Sequence, residues 1–306
     1  MKKILVSGLL QNNEKYLPYL FKCIAQSEEY NCAGYEFNYL FLTNSTLELL
    51  EEQKQFYNIE VINKNYDEEF LNLERICRLR SLREELLDEI KKKDFEYLIM
   101  IDSDIIFNGK IIEDLVYQYD HNKYDALSTN TNPTNNPFYY DFLALIDKDG
   151  NKPFDSLLKT IKFNYTVNSS NDGESIVKVK SAFAGMYIIS KKVLMEKCPS
   201  YNLTGKGDKQ CEHTVFNQKL DVGIVKNINP LWLKFSDNGP KYARALQKIN
   251  KNNSDNREFV SFFLYIFTLI LISIYSLYYF KKYRIIAFGI LSFNTLLLVN
   301  CFDEII

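Results

Sequence analysis

The sequence predicts an α/β fold in which a large mixed sheet is flanked by helices and followed by a C-terminal transmembrane helical hairpin. Three observations support this prediction. Short apolar runs alternate with helical patterns through the first third of the chain, which is typical of a sheet with parallel strands. One run, 95–107, is largely apolar on both faces and carries two carboxylates one residue apart in its middle, as expected of a central strand that leads to a site. Two long uncharged segments lie near the C-terminus.

The alternation begins at the N-terminus. A basic start and a short apolar run at 2–10 are cut off by polar residues, so we interpret them as the first core strand rather than a secretory signal. The other apolar runs predict strands at 37–42, 59–62, 95–107, 124–128, 223–225 and 231–233, and a strand pair within 177–190. The intervening patterns predict helices at 16–26, 47–56, 70–92 and 111–119.

The composition excludes some classes of function. The chain has 306 residues, a formal net charge of −2 and a pI of about 5.9, so nothing global indicates a nucleic-acid partner. Its six cysteines include no Cys-x-x-Cys pair and only two histidines accompany them, which argues against a zinc cage and against a disulfide framework. A chain of this length is sufficient for one large or two ordinary domains.

Asp102 and Asp104 are two carboxylates, one residue apart, in the middle of the apolar run 95–107. Ligands of parallel sheets bind beyond the carboxyl ends of the strands, which is where this pair lies. Residues two apart point to the same side of an extended chain, so both carboxylates can face one site while Ser103 points away. Two hard oxygen ligands suit Mn²⁺ or Mg²⁺ when a substrate diphosphate completes the coordination shell. An acidic turn at the end of the strand is the alternative interpretation.

The predicted helix 70–92 leads into this strand and carries four arginines. They are Arg75, Arg78, Arg80 and Arg83. An apolar stripe along the same helix faces the core, so some of the arginines lie on the side of the site. Guanidinium binds a diphosphate at two points, which favours a phosphate-binding role. A solvated face paired with neighbouring glutamates is the alternative.

Three later stretches carry candidate chemistry. Asp141 is the one carboxylate in the aromatic stretch 138–145, which suits either a sugar ring or core packing. Small residues at 181–185 allow a ligand to approach the backbone closely. Glu212 and His213 are adjacent and serve neighbouring positions of a helix, His213 as a third metal ligand and Glu212 as a base or a partner of an acceptor hydroxyl. A surface histidine with no such role is the alternative.

The C-terminal part predicts a membrane anchor. Segments 259–280 and 285–302 contain no charged residue, and each is close to the roughly 20 residues that cross a bilayer. We therefore predict an N-terminal domain at 1–240, a basic polar linker at 241–258 and the anchor at 259–302. The distribution of basic residues favours a cytosolic N-terminal domain and leaves a lumenal one open.

Taken in order, these motifs resemble glycosyltransferases of the GT-A fold, and within them the cryptococcal capsule-associated mannosyltransferase-like group. The resemblance covers roughly residues 1–240 and implies a Rossmann-type mixed sheet. The stretches that carry it are Leu73-Glu74-Arg75, Leu79-Arg80-Ser81-Leu82-Arg83, Ile101-Asp102-Ser103-Asp104-Ile105, Tyr139-Tyr140-Asp141-Phe142-Leu143-Ala144-Leu145, Ala184-Gly185-Met186 and Cys211-Glu212-His213.

The resemblance implies roles for particular residues. It assigns the divalent metal, Mn²⁺ or Mg²⁺, to Asp102 and Asp104, where the metal bridges the diphosphate of the donor. It also implies a nucleotide-sugar pocket at the ends of the first strands, near Gly8, Asn12 and Asn44.

Further roles follow for charged residues outside the metal pair. The resemblance implies that Arg83 contacts the diphosphate, and Arg75 can help to neutralise it. The late carboxylate and histidine of the family correspond to Glu212 and His213. An inverting enzyme also needs a base on the acceptor side, and the candidates are Asp141 and Glu212.

The function expected from this resemblance is that of a membrane-anchored, metal-dependent glycosyltransferase. It would move a sugar, with mannose as the candidate that the resemblance implies, from a GDP- or UDP-sugar to a hydroxyl of a glycan, protein or lipid. Two alternatives stay open. One is a non-catalytic, membrane-anchored sugar-binding scaffold. The other is a metal-dependent nucleotidyltransferase, although such enzymes usually carry a glycine-rich phosphate loop that Gln11-Asn12-Asn13-Glu14 does not provide.

Overall fold

The computed structural model describes residues 1–10, 15–31, 34–43, 48–133, 139, 141–152, 157–168, 175–202 and 210–232. The predicted linker and both predicted membrane segments lie outside this described part of the chain, as do two predicted pocket residues, Asn12 and Asn44. Every helix in the described part is too short or too polar to span a bilayer. The membrane anchor therefore stays a prediction.

Strands and helices alternate through the described part. In chain order the strands are β1 (Lys2–Leu10), β2 (Tyr35–Thr43), β3 (Ile59–Asn63), β4 (Tyr97–Ile101), β5 (Ile105–Ile106), β6 (Ala126–Thr129), β7 (Asn132–Pro133), β8 (Ile146–Asp147), β9 (Ile176–Ser181), β10 (Met186–Ser190), β11 (Val222–Val225) and β12 (Leu231–Trp232). The helices are α1 (Leu17–Asn31), α2 (Glu48–Gln53), α3 (Glu68–Leu71), α4 (Arg75–Lys91), α5 (Ile111–His121), α6 (Leu157–Asn168), α7 (Lys191–Lys197) and α8 (Glu212–Phe216).

One large sheet contains most of these strands, in the order β3-β2-β1-β4-β10-β6-β11-β9-β8. β1 pairs in parallel with β2 and β4, and β2 pairs in parallel with β3. β10 lies antiparallel between β4 and β6, and β9 is antiparallel to β11. The sheet is therefore mixed, which confirms the predicted α/β class. A small second sheet has the order β5-β12-β7.

Alternate residues of the central strand β4 bury opposite faces of the large sheet. Ile99 and Ile101 pack in one apolar cluster with residues of α1 and α5, whereas Leu98 and Met100 pack in a second cluster with residues of α4 and α7. All four side chains are buried. Burying a side chain of this size contributes roughly 1.5–3 kcal/mol. Helices on both faces therefore hold β4 as the fixed centre of the fold.

The predicted helix 70–92 is two helices, so its predicted start was wrong. α3 ends at Leu71 and α4 begins at Arg75. Glu74, which precedes α4, has an extended backbone with φ −53° and ψ 143°, and this conformation interrupts a helix. Asp67 is the N-cap of α3: its carboxylate accepts a hydrogen bond from the Phe70 N–H at 2.8 Å.

The run 95–107 is not one strand, and the expected alternation of its carboxylates was wrong. β4 ends one residue before Asp102, and the chain turns through Asp104 before β5, which belongs to the second sheet. The Asp102 N–H donates to the Gly185 carbonyl at 2.8 Å, and the Ile105 N–H donates to the Asp102 carbonyl at 3.4 Å. The first bond continues the antiparallel register of β4 with β10, and the second is a turn bond that ends the extended run. The alternative interpretation, an acidic turn at the end of the strand, therefore describes the backbone.

The stretch 177–190 forms two strands as predicted, but they do not pair with each other. β9 pairs with β11 and β8, whereas β10 pairs with β4 and β6. Between them, Ala184 and Gly185 have positive φ values of 52° and 74°. This left-handed turn favours small residues, and it directs the chain toward the centre of the sheet.

Gly8 shows how closely β1 approaches the end of β4. A Cβ atom at this position would lie 2.2 Å from the Ile101 carbonyl oxygen, far inside van der Waals contact. Gly34, at the start of β2, has no atom within 4 Å of the corresponding position. Only glycine at position 8 therefore leaves room for the end of β4, which directly precedes Asp102.

We expect Gly8→Ala to lower the free energy of unfolding by about 2 kcal/mol or more, because backbone atoms must shift to admit the methyl group. Gly34→Ala is the matched control and should change it by less than about 0.5 kcal/mol. Urea denaturation of the full chain in detergent measures both. Equal stabilities for the two variants would contradict the close approach of β1 to β4.

Candidate active site

The acidic turn lies at the carboxyl edge of the parallel strands. Leu10 at the end of β1 pairs with Thr43 at the end of β2, and Ser7 of β1 pairs with Met100 of β4. The ends of β1, β2 and β4 therefore meet at one edge, as the sequence predicted for a ligand site. The Asp102 side chain is 26% exposed there.

The two aspartates of the turn have different surroundings from the serine between them. Asp104 is half-buried, and Ser103 is only 3% exposed. The buried serine anchors the turn, while both carboxylates retain access to solvent at the sheet edge. The predicted separation of Ser103 from the carboxylates thus results from a turn rather than from strand alternation.

Arg83 is a buried arginine that joins two carboxylates. Its Nη2 lies 3.0 Å from Asp102 Oδ1, and its Nε lies 3.4 Å from Glu212 Oε1. The Arg83 side chain is 5% exposed, and that of Glu212 is 8% exposed. The guanidinium carbon also lies 4.9 Å from the centre of the Phe183 ring. One guanidinium therefore connects α4, the acidic turn and α8.

These charges shift one another's protonation. The pKa of Asp102 is raised above its ordinary value. Burial is the main cause and the carboxylate of Glu212 adds to the rise, whereas the nearby Arg83 guanidinium opposes it. For Arg83, the charges of Asp102 and Glu212 outweigh burial and raise the pKa further above its ordinary value. Arg83 is therefore a permanent internal cation.

His213 stacks inside the protein next to this ion pair. Its ring lies 3.7 Å from that of Phe183 with an interplanar angle of 10°, and Tyr201 contacts it edge-on at 5.9 Å. Burial, helped by the charge of Arg83, holds the pKa of His213 well below its ordinary value, so the ring is neutral at pH 7. Its Nε2 is 3.8 Å from Glu212 Oε1 and has no hydrogen-bond partner in the described part.

Asp141 is a second candidate for acid–base chemistry. Its Oδ1 accepts a hydrogen bond from the Ala144 N–H at 3.2 Å. Burial raises its pKa to about 7, with further contributions from the charges of Asp102 and Glu212. The backbone N–H groups of Ala144 and Ala184 oppose this rise. The shift shows that Asp141 lies within electrostatic range of Asp102 and Glu212, so the structure brings these three predicted site residues together.

The remaining arginines of α4 differ in their surroundings. Arg75 is exposed at the first residue of the helix, and its charge lowers the pKa of Asp102. Arg78 donates to the Leu71 carbonyl at 2.6 Å, and Arg80 donates to the Gln210 carbonyl at 2.7 Å. The latter two therefore make structural bonds, and Arg75 lies on the side of the site.

The predicted aromatic stretch packs mainly into the core. Tyr139 is 0% exposed, and its ring contacts those of Phe142 and Phe163 at 6.4 and 5.8 Å. Leu143 is 59% exposed, two residues from Asp141. Of the two interpretations of this stretch, core packing describes Tyr139 and Phe142.

Two features of the site were not predicted as such. Phe183 and Tyr201 enclose His213, although nothing local in the sequence distinguishes them from other core aromatics. The small residues around Gly185 serve the acidic turn itself: a Cβ on Gly185 would lie 2.5 Å from Ile105 Cγ1, and its φ is positive. The small residues at 181–185 were expected to let a ligand approach the backbone. At Gly185, the group that approaches is the side chain of Ile105 instead.

The donor set fits a divalent cation held by two protein ligands. Within the described part, no three His, Cys, Asp or Glu side chains converge closely enough to hold a metal ion. Asp102 and Asp104 supply hard oxygen atoms at the exposed edge, as Mn²⁺ and Mg²⁺ prefer, and substrate or water would complete the shell. Glu212 and Asp141 add negative charge, which the single cation of Arg83 does not balance.

Comparison with known proteins finds a likeness to solved structures and none to families or curated sequences. No protein-family model and no curated sequence matches the chain. Among solved structures, it is similar to S. aureus TarS 1-349, with a TM-score of 0.48 and 14% identity over 81% of this chain and 64% of that one. TarS 1-349 in complex with UDP-GlcNAc gives a TM-score of 0.48 and 12% identity over 90% and 66%. The chain thus spans less than two thirds of those structures, and the roles of its site residues rest on their own geometry.

Proposed function

We propose that this chain is a metal-dependent glycosyltransferase that moves a sugar from a nucleotide-sugar donor to an acceptor hydroxyl. The observation that carries the proposal is the meeting at one sheet edge of the acidic turn, Asp102 to Asp104, and of Asp141, whose pKa is about 7. The turn offers ligands for a metal that binds a diphosphate, and Asp141 offers a base poised near neutral pH.

Asp102 and Asp104 are the residues that would hold Mn²⁺ or Mg²⁺. When bound, such an ion supplies a Lewis acid that stabilises negative charge on the departing nucleoside diphosphate. The half-buried edge limits the water around this charge, which strengthens its interaction with protein groups. His213, the third ligand expected from the sequence, is buried against Phe183 and Tyr201 and has its Nε2 near Glu212 instead.

Between the two candidate bases, we assign the role to Asp141. Glu212 is buried, and one of its carboxylate oxygens is bonded to Arg83, so it is less accessible to an acceptor hydroxyl. Asp141 has its pKa near the working pH instead. In an inverting transfer, Asp141 accepts the proton of the acceptor hydroxyl. The hydroxyl oxygen forms a bond to the anomeric carbon of the sugar, while the bond between that carbon and the diphosphate oxygen breaks.

For the donor and the acceptor, we propose chemical classes. The donor is a GDP- or UDP-sugar, with mannose as the sugar that the sequence resemblance implies, and the acceptor is a glycan, protein or lipid. The nucleotide pocket is proposed at the ends of β1 and β2, near Gly8, Asn12 and Asn44. Anchoring through 259–302, with the N-terminal domain cytosolic, is part of the same proposal.

We expect Asp104→Asn to reduce Mn²⁺-dependent sugar transfer by about 100-fold or more while circular dichroism stays unchanged, because one of two protein ligands loses its charge. Asp102→Asn should abolish turnover too, but it also breaks the bond to Arg83 and lowers stability. The exposed Asp94, bonded to Lys3, provides the matched control Asp94→Asn. The assay screens UDP- and GDP-sugars with the full chain in detergent.

The same screen tests the alternatives. Metal-dependent nucleotide binding with no transfer to any acceptor favours the scaffold, and release of pyrophosphate favours a nucleotidyltransferase. Unchanged transfer in Asp104→Asn would contradict the proposed metal site.

The role of Asp141 predicts a pH dependence. Turnover should fall by about tenfold per pH unit below a pH of about 7, because the base becomes protonated. Asp141→Asn should lower turnover by roughly 10²-fold or more and remove this acid limb. A rate profile from pH 5 to 9 measures both effects. If the variant keeps the same fall in turnover at low pH, a group other than Asp141 causes that fall.

Asp141 also predicts a stability effect that is independent of catalysis. Its folded pKa is raised from the ordinary 3.8 to about 7, so between these values the folded state binds the extra proton and stability falls as pH rises. Asp141→Asn removes this cost, and its unfolding temperature in EDTA should exceed that of the unsubstituted chain at pH 8 but not at pH 4. Asp149→Asn, at an exposed position, is the control and should show no such difference. A gain that is equal at both pH values would contradict the buried carboxyl.

A further inference from the structure

We propose that two arginines of α4 have separate tasks: Arg83 is a positioning residue that holds Asp102 and Glu212 inside the protein, and Arg75 contacts the diphosphate of the donor. The inference rests on the proposed function and refines it. It replaces the expectation that Arg83 itself binds the diphosphate.

The surroundings of Arg83 leave it no route to a substrate. Nη2 is bonded to Asp102 and Nε to Glu212, at 3.0 and 3.4 Å. Nη1 is shielded from solvent, without a hydrogen-bond partner in the described part, and the Phe183 ring lies against the guanidinium. Reaching a phosphate would require Arg83 to leave the buried Glu212 and the partly exposed Asp102 without their cation, which is unfavourable.

The same bonds give Arg83 a defined effect on the acidic turn. Arg83 occupies Oδ1 of Asp102, and the Asp102 backbone N–H is held by the Gly185 carbonyl at 2.8 Å. The side chain and the backbone of this residue are therefore both fixed, and Oδ2 remains as the oxygen available for a ligand. Outer partners of this kind orient the carboxylates that hold a metal.

Arg75 lies where a diphosphate would extend from the turn. A short connection, 92–96, joins α4 to β4, so the two elements run in opposite directions and the start of α4 lies toward the carboxyl edge. Arg83 is level with Asp102, as their bond requires. Arg75 is eight residues earlier, roughly 12 Å further along the helix axis and past that edge. It is exposed, at the first residue of α4.

The other two arginines of the helix are less suitable. Arg78 and Arg80 donate to the backbone carbonyls of Leu71 and Gln210. Arg75 has no hydrogen-bond acceptor among the described residues, so its five donors stay available for a bidentate contact with phosphate oxygens.

The experiment compares four variants of the full chain in detergent, with UDP and GDP at saturating Mn²⁺ as probes. Arg75→Met should weaken binding of the nucleoside diphosphate about tenfold or more, with the unfolding temperature of the ligand-free protein unchanged. Arg78→Met, one helical turn away and losing the same charge, is the matched control and should weaken binding less than threefold. Isothermal titration and thermal unfolding give the two readouts.

Arg83 should show the opposite pattern. Arg83→Met should lower the unfolding temperature of the ligand-free protein by roughly 10 °C or more. Arg83→Lys keeps the charge and should recover part of that loss, with UDP and GDP affinities within about threefold of the unsubstituted chain. Its kcat for sugar transfer should nevertheless fall about tenfold while the donor KM stays within threefold, an effect that lost stability alone would not cause.

The outcomes separate this inference from the proposed function. If Arg75→Met and Arg83→Lys weaken diphosphate binding alike, or if Arg75→Met leaves it unchanged, the division of tasks is overturned while the proposed function stands. Absence of Mn²⁺-dependent UDP or GDP binding in the unsubstituted chain overturns the proposed function, and the role of Arg75 with it. Arg83→Lys carries the test of Arg83 should Arg83→Met fail to fold.

Discussion

The buried guanidinium of Arg83 is the interaction on which the candidate site depends. It joins Asp102, 19 residues later in the chain, and Glu212, 129 residues later. A buried charge that loses a partner costs roughly 3–5 kcal/mol, a large share of the stability of an ordinary domain. Folding therefore cannot complete without bringing α4, the acidic turn and α8 together. The ion pair that stabilises the core also assembles the site.

Close backbone contacts determine where the acidic turn lies. On one side, Gly8 admits the Ile101 carbonyl, which precedes Asp102. On the other, Gly185 receives the hydrogen bond from the Asp102 N–H, and its lack of a side chain admits Ile105. Neither position tolerates a Cβ at the observed spacing. The two glycines thus fix both flanks of the turn, and the carboxylates project at the sheet edge between them.

The balance of charge at this edge gives the site its chemical character. Two carboxylates, Asp102 and Glu212, share one internal cation, so part of the negative charge is uncompensated. Burial raises the pKa of Asp141, and the charges of Asp102 and Glu212 add to that rise. The same negative charge suits the divalent ion that we propose for this edge. The neutral, stacked ring of His213 adds no charge of its own. The raised pKa of Asp141 and the proposed cation site therefore both involve the carboxylates of Asp102 and Glu212.

The sequence by itself determined the α/β class, the first strands and their helices, and the position of Asp102 and Asp104 at the end of a buried strand, because these depend on local apolar patterns. It could not show the burial of Arg83, the aromatic stack on His213 or the shared surroundings of Asp141, since each depends on residues distant in the chain. The tertiary structure alone decided that the run 95–107 breaks at Asp102, because its two parts join different sheets: β4 pairs with β1 and β10, whereas β5 pairs with β12, and these partners are distant in the chain.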